Sequence, residues 1–328
     1  MADYDIGAAF EAIEDELIAS MIRNMDRHRA EELKEGYEWS MWQTQQLNAL
    51  EKYKLENQKK YSKQSKSINA QIRELIWQAK QKGGLEQEAQ ILRAIKNGFK
   101  SDKPASAAMQ AEFFKLNTKK LEALINATTN DMAKAETAIL RRANDQYRKA
   151  IFNAQVYANS GAGTYEKAVD MATKDMLSRG LACVEYKNGT LHTLEDYADM
   201  AIRTASKRAY LQGEGEKRQE WGISTVIINK RGNPCPKCLP FVGKVLIDDV
   251  WSGGKASDGP YPLMSLAIKR GLYHPRCKDS HSTYFPGIST AEDIWTRKEL
   301  DSIEQKYKQE QNQQHAKRQA DKFGRLAK

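Results

Sequence analysis

Five residues that commonly bind metal ions fall within one short segment of the chain. They are Cys235, Cys238, His274, Cys277 and His281, and residues 235–281 are called the Cys/His segment below. A Cys-x-x-Cys turn such as Cys235–Cys238 places two thiolates at tetrahedral angles on one cation. Three cysteines and one histidine would complete the coordination shell, with no position left for a substrate. The spacing therefore predicts a structural zinc site.

Two histidines compete for the fourth ligand position. His281 follows Cys277 by one helical turn, and we favour it for that reason. His274 is the alternate ligand, and its place before Pro275 suits a role in orienting the loop. Without a metal, the cysteines would pack in the core and the histidines would bond to the backbone. We expect reduced thiols, not disulfides, because the chain shows no signal-peptide core.

A catalytic zinc site would need further residues, which the sequence does not supply at the required spacing. Nucleobase deaminases combine Pro-Cys-x-x-Cys with an upstream His-x-Glu, whereas this chain has His192 and Glu195 three residues apart. The pattern of a DNA-binding zinc finger is also absent from the sequence. We therefore expect no enzymatic activity and name no catalytic residue. The acidic residues near enough in sequence to act as a base are Glu195, Asp248, Asp249 and Asp279.

The elements around the Cys/His segment predict a small α+β domain. Residues 181–186 read as a strand before the Asn188-Gly189 turn, and residues 225–228 as a strand that enters the Cys/His segment. Thr193 with Asp196 has the spacing of a capping box that opens a helix to about Arg218. The Gly- and Pro-rich stretch between the two cysteine pairs predicts little regular structure.

The rest of the chain predicts long helices, so the expected fold class is mainly α. A stripe of Phe10, Ile13, Leu17 and Met21 indicates a helix-pairing seam. Helix continues through residues 31–100 with a break at Gly83-Gly84, and again from 105 to 158. The expected organisation is a helical arm at 1–100, a helical region at 101–160, the α+β domain at 161–290 and a loose polar helical tail at 291–328. Thr290 with Asp293 is expected to open the tail helix.

The charge balance favours polyanionic partners. The formal net charge is +9 and the sequence pI is about 9.1. Basic residues near phosphates displace counterions and so strengthen binding to nucleic acid, although such side chains also serve as solvated surface. No stretch approaches the roughly 18 apolar residues of a membrane span. The candidate nucleic-acid contacts are Arg141, Arg142, Lys317 and Arg318.

The residues around the cysteines resemble a known family. The matching runs are Asn233-Pro-Cys-Pro-Lys-Cys-Leu-Pro-Phe-Val-Gly-Lys-Val245, Gly271-Leu-Tyr-His-Pro-Arg-Cys-Lys-Asp-Ser-His281 and Tyr284-Phe-Pro-Gly287, with Tyr186-Lys-Asn-Gly189 and Tyr197–Thr204 upstream. They are similar to the C-terminal domain of phage minor capsid proteins. These are portal-associated head morphogenesis proteins, similar to the F protein of phage Mu. The likeness spans about residues 165 to 290.

The resemblance implies a protein made in the host cytoplasm and packaged inside the virion head near the portal. Its expected partners are the portal protein, other capsid proteins, copies of itself and the packaged DNA, with roles in head assembly and genome packaging or delivery. In that setting Arg203 is expected to reach the Cys/His segment and support it together with Thr204. The alternative is an exposed arginine beside a backbone-bonded threonine. The competing functions are a zinc-dependent nucleic-acid-processing enzyme and a DNA-binding protein.

Overall fold

A computed structural model describes residues 6–35, 39–99, 107–159, 165–182, 184–185, 189–230, 234–275, 277–291 and 295–327. The helices are α1 (Ile6–Glu35), α2 (Trp39–Lys96), α3 (Ala107–Asn159), α4 (Tyr165–Arg179), α5 (Leu194–Glu220), α6 (Met264–Lys269) and α7 (Arg297–Leu326). The strands are β1 (Val184–Glu185), β2 (Leu191–His192), β3 (Thr225–Ile228), β4 (Val245–Ile247) and β5 (His281–Thr283). The predicted class, mainly α with a small α+β part, is confirmed. Within the described residues, no helix has the length and apolar content that a membrane crossing requires.

The chain forms two compact units that alternate along the sequence. The first unit contains Met1–Gln71, Thr129–Asp199 and His315–Lys328, and the second contains Ile72–Thr128 and Met200–Gln314. The organisation predicted from the sequence has four consecutive segments instead. The whole Cys/His segment belongs to the second unit, together with part of α2.

The first unit buries the predicted seam of α1. Phe10, Ile13, Leu17 and Met21 are all buried, as a helix-pairing stripe requires. The Tyr53 hydroxyl of α2 donates a hydrogen bond to the Leu17 carbonyl, and the backbone N–H of Leu181 donates to the buried Glu14 carboxylate at 2.7 Å. Apolar packing and buried polar contacts therefore both fix α1 in this unit.

Helix α2 continues through Gly83-Gly84, so the predicted break is wrong. The two glycines serve close packing against α5, where Gly213 faces them. A Cβ atom on Gly83 would lie 2.2 Å from the Tyr210 carbonyl oxygen, and one on Gly213 would lie 2.0 Å from the Lys80 carbonyl oxygen. Only hydrogen fits in these gaps, so the glycines allow the backbones of α2 and α5 to touch.

A three-stranded antiparallel sheet lies beside the Cys/His turns, in the order β4-β3-β5. Val226 of β3 pairs with Leu246 on one side and Thr283 on the other. Strand β3 was predicted and is confirmed. Strand β5 was not predicted, and β4 lies in the stretch between the two cysteine pairs that was expected to be irregular. A short helix, α6, lies there as well. Residues of this sheet and of the surrounding segments form one core, which includes Leu211, Val226, Ile228, Cys238, Val242, Leu246, Met264 and Leu272.

Helix caps were predicted with mixed success. The Asp196 N–H donates to the Thr193 hydroxyl at 3.2 Å, which confirms the predicted start of α5. Helix α7 begins at Arg297, not near Thr290, because Thr296 and Glu299 form the box. Residues 100–106, Asn188 of the turn, Asp293 and Cys183 lie outside the described residues.

Candidate metal centre and its buried support

Two short turns bring the predicted metal ligands together. In the first turn the Cys238 and Leu239 N–H groups donate to the Cys235 carbonyl at 3.0 and 2.9 Å. In the second turn the Cys277 N–H donates to the His274 carbonyl at 2.9 Å. Each turn therefore carries two potential ligands, its first and fourth residues, on one short loop.

The two turns face each other in register. His274 Nε2 lies 3.0 Å from Cys235 Sγ, and Cys277 Sγ lies 3.4 Å from Cys238 Sγ. The ligand atoms of Cys235, Cys238 and His274 all lie within 4.8 Å of one another. Cys238, Cys277 and Asp279 form a second such group that shares Cys238. The three cysteines and the histidine of the two turns are called the Cys/His cluster below: Cys235, Cys238, His274 and Cys277.

His281 is not part of the cluster, and the preference for it as fourth ligand is corrected. Its Nε2 lies 2.8 Å from Arg218 Nη2, and its Nδ1 lies 2.7 Å from the Tyr273 hydroxyl. Since a guanidinium only donates, Nε2 must accept, and the imidazole is neutral with its hydrogen on Nδ1. Burial and the neighbouring Arg218 lower the pKa of His281 well below its ordinary value. One helical turn was the wrong guide, because residues 281–283 form a strand.

Arg218 of α5 is the centre of a buried polar network that the sequence analysis missed. Its side chain is 0% exposed and donates to the Ser252 hydroxyl, the Gln87 side-chain oxygen and Asp248 Oδ2, besides His281. All of its described partners are themselves buried, so the guanidinium is fully compensated. The network connects α2 and α5 to β5 and to the loop after β4, which both belong to or adjoin the Cys/His segment.

A sequence signal for this network exists in α5. Gly213 and Gly215 are two residues apart in the helix that carries Arg218. A Cβ on Gly215 would lie 2.4 Å from the Cβ of Trp251, so the second glycine marks another close approach. Glycines inside a helix are unfavourable unless something packs against them. Paired glycines therefore indicated that this part of α5 is buried, and that an arginine there needs partners.

Glu214 is a buried acid at the edge of the network. Its Oε2 lies 4.0 Å from Arg218 Nη1 and 3.8 Å from His281 Nε2, beyond hydrogen-bond distance. Burial raises the pKa of Glu214 to about 7, although the Arg218 and Lys207 charges oppose that rise. Burial also lowers the pKa of Lys207. Both residues line an open groove of about 780 Å³ in the second unit.

The acidic candidates for a catalytic base have structural partners. Asp248 Oδ1 accepts the N–H groups of Val250 and Trp251, and its Oδ2 accepts from Ser252 and Arg218. Asp249 Oδ1 accepts the Ser265 N–H at 2.8 Å. Asp279 is buried, and its Oδ2 lies 3.7 Å from Cys277 Sγ. The side chain of Glu195 lies outside the described part of the structure. The described carboxylates thus hold loops and the cluster in place.

The remaining predicted residues lie on helix surfaces. Arg203 is exposed on α5, and the Thr204 hydroxyl donates to the Met200 carbonyl at 2.7 Å, as in the backbone-bonded alternative. Support of the Cys/His segment by Arg203 stays a prediction. Arg141 on α3 and Lys317 and Arg318 on α7 are exposed, whereas Arg142 is partly buried. Nucleic-acid contact by these residues also stays a prediction.

Comparison with known proteins gives one match. A family model described as Phage minor capsid protein 2 matches residues 4–326. The chain belongs to this family. The match covers both units, so the helical first unit is as much a part of the family as the Cys/His segment. Neither the curated proteins nor the solved structures gave a match.

Membership in the phage minor capsid family establishes the coarser part of the sequence-based expectation. The protein has a structural role in a phage, its place is the virion, and its partners are other phage head proteins. A capsid family also indicates a structural protein rather than an enzyme. The specific likeness to the F protein of phage Mu stays an expectation.

Proposed function

We propose that this minor capsid protein binds the portal inside the phage head and assists head assembly and genome packaging or delivery, without catalysing a reaction. The observation that carries the proposal is the family match over residues 4–326. The resemblance of residues 271–287 to portal-associated head proteins supports the portal as the specific partner. The described surface offers a candidate contact for it.

Helix α2 exposes large apolar side chains along one face in the second unit. Trp77, Leu85 and Leu92 are 46%, 68% and 47% exposed. At 100° per residue they lie within about 80° of one another around the helix. We call these three residues the α2 apolar face. We infer a protein contact from this row of large apolar side chains, because water otherwise surrounds them.

The proposed occupant of the α2 apolar face is the portal protein of the same phage. A minor capsid protein must attach to other head proteins, and an apolar helix face in a groove is a common way to do so. Polar side chains lie between these residues along α2. Among them are Lys82 and Glu86, which form a surface ion pair at 3.8 Å.

The test is co-purification of the full-length chain with the portal protein, expressed together. We expect capture of the portal by wild type and at least tenfold weaker capture by the triple variant Trp77→Ser, Leu85→Ser, Leu92→Ser. The matched control is Lys82→Ser, an exposed change on the same helix that should bind as wild type. Circular dichroism would verify that all three proteins keep their helix content.

Absence of portal capture by the wild-type chain would contradict portal binding while leaving the family's structural role intact. Capture that survives the triple substitution would reject the α2 apolar face as the contact. Light scattering of the chain alone tests a second possible occupant of the α2 apolar face, which is another copy of the same chain. A dimer of wild type that the triple variant loses would assign the face to a second copy.

DNA proximity is a second candidate role, supported by the surface of α7. Residues 311–320 are all exposed, contain Lys317 and Arg318, and include no acidic residue. Phosphate contacts of this kind release counterions, so binding should weaken steeply with salt. We expect Lys317→Gln with Arg318→Gln to lower the retention of the chain on double-stranded DNA. Retention that is weak and independent of salt would reject this role.

A further inference from the structure

We propose that Cys235, Cys238, His274 and Cys277 bind one zinc ion that holds the two turns of the Cys/His segment together. The proposal is independent of portal or DNA binding. It rests on the pairing of the two turns, on the separations of the ligand atoms and on the hydrogen bond that fixes His274.

The pairing of the turns is the first argument. Cys235 faces His274 and Cys238 faces Cys277, and both pairs are 39 residues apart in the sequence. Two Cys-x-x-Cys-like turns thus bring four potential ligand residues into one small region. Closed zinc sites are built in this way, with two ligands from each of two turns.

Two separations between the turns are close to those around a tetrahedral ion. Zinc bonds of about 2.3 Å to sulfur and 2.0 Å to nitrogen place neighbouring ligand atoms about 3.6–3.8 Å apart. The sulfur-to-nitrogen distance of 3.0 Å and the sulfur-to-sulfur distance of 3.4 Å are slightly shorter than this. These two pairs need to spread by about half an ångström to admit zinc. Cys277 also needs to move toward Cys235 and His274, because it belongs to no group with them whose ligand atoms lie within 4.8 Å. Small rotamer adjustments at the partly exposed Cys235 and Cys277 supply such movement.

The hydrogen bonding of His274 prepares it as a ligand. Its Nδ1 lies 2.7 Å from the Pro275 carbonyl oxygen, which only accepts. Nδ1 therefore carries the hydrogen, and Nε2 offers its lone pair toward Cys235. Histidine ligands of zinc commonly have the remote N–H bonded to a backbone carbonyl, because that bond fixes the tautomer and the ring orientation.

The surroundings favour a stabilising role for the ion. Cys238 is fully buried and packs in the same core as Val242 and Leu272. The segment between the two turns contains β4 and α6, and a metal cross-link would restrict its two ends to one position. Zinc that binds only the folded arrangement adds its binding free energy to folding. Asp279, beside Cys277, provides the competing ligand set with Cys238 and Cys277.

The experiment is metal analysis of the full-length protein, purified under reducing conditions and dialysed after incubation with zinc. We expect about one zinc per chain in wild type and at least a fivefold loss in Cys238→Ser and His274→Ala. His274→Cys should keep the zinc, because a thiolate replaces the imidazole in a four-ligand shell. His281→Asn, outside the cluster, should also keep it. Cobalt substitution gives a second readout, since tetrahedral thiolate ligation produces intense visible and near-ultraviolet bands.

Folding is monitored separately in the same samples. Chelation of wild-type protein should lower its melting temperature, and added zinc should restore it. This test uses no variant, so it still decides the question if a variant fails to fold. A folded wild-type chain that retains less than a tenth of an equivalent would overturn the proposal. Full zinc retention in His274→Ala with loss in Asp279→Asn would overturn the assigned ligand set. Loss in His281→Asn but not in His274→Ala would do the same.

Discussion

The protonation of Glu214 makes the stability of the second unit depend on pH in a predictable direction. Burial raises its pKa to about 7 from the ordinary 4.5. Between these values the folded chain binds more protons at this position than the unfolded chain does. Raising the pH through this window therefore favours unfolding, and the stabilising contribution of the protonated acid is complete below pH 4.5 and lost above pH 7.

The size of this effect follows from the pKa change. A rise from 4.5 to about 7 corresponds to about 3 kcal/mol of unfolding free energy. The residue is only 7% exposed, so solvent screening reduces the effect little. Glutamine has nearly the same shape and does not ionise. The stability of Glu214→Gln relative to wild type should therefore rise by up to about 3 kcal/mol from pH 4.5 to 7 and stay constant above that.

The groups that face Glu214 must be considered together. Arg218, Lys207, Tyr210 and Glu86 influence its charge, and His281 Nε2 lies 3.8 Å away. His281 contributes with the opposite sign, because its lowered pKa means stability that is present above pH 6.5 and lost as the pH falls. That contribution is common to wild type and variant, so the difference between them isolates Glu214.

The assay is urea unfolding followed by tryptophan fluorescence at pH 5, 6, 7 and 8. The control is Glu216→Gln on the same helix, where the buried carboxylate pairs with Lys80 at 2.8 Å. That control should be less stable than wild type at pH 8, because it leaves a lysine unpaired. A Glu214→Gln difference that is flat across the four pH values, or that falls with rising pH, would refute the reasoning.

Three further substitutions test the packing, the charge network and a helix cap. Gly83→Ala should lower the unfolding free energy by about 2–3 kcal/mol in urea titrations. Gly84→Ala should be neutral or stabilising, since its Cβ would have ordinary contacts. Equal effects of the two substitutions would contradict the backbone contact between α2 and α5. Arg218→Met should cost about 3–5 kcal/mol in the same titrations, because its buried partners lose their compensation; a cost below 1 kcal/mol would show the network to be dispensable. Thr296→Ala should increase hydrogen exchange in the first turn of α7, because loss of the cap weakens the helix by about 1 kcal/mol. Thr290→Ala should leave this exchange unchanged. The reverse result would favour Thr290 as the cap.

Local sequence patterns predicted correctly the elements whose structure depends mainly on nearby residues. The buried stripe of α1, the Thr193 cap of α5 and strand β3 each depend on neighbours within a few residues. The two Cys/His turns were also visible, because turn geometry follows from spacing. The helical class followed from periodicity and from the scarcity of glycine in the first half.

Sequence patterns did not predict the features that depend on contacts between distant parts of the chain. Gly83-Gly84 resembles a helix break until α5 is seen to pack on it. Spacing favoured His281 over His274, whereas the tertiary contacts place His281 against Arg218 and His274 against Cys235. Strand β5 pairs with β3 from more than 50 residues away, so no local pattern reveals it. The Thr290 and Thr296 boxes look alike in sequence.

The alternation of the two units also constrains how the protein is made. The second unit combines residues 72–128 with residues 200–314, so its core around Ile91 cannot close on the ribosome until Phe285 has been synthesised. Until then Ile91 and Ala94 of α2 lack Ile223 and Phe285, their later partners in the same core. Contacts between such distant segments slow folding and leave apolar surface open during synthesis. The long polar helices made first have the composition to keep this unfinished chain in solution.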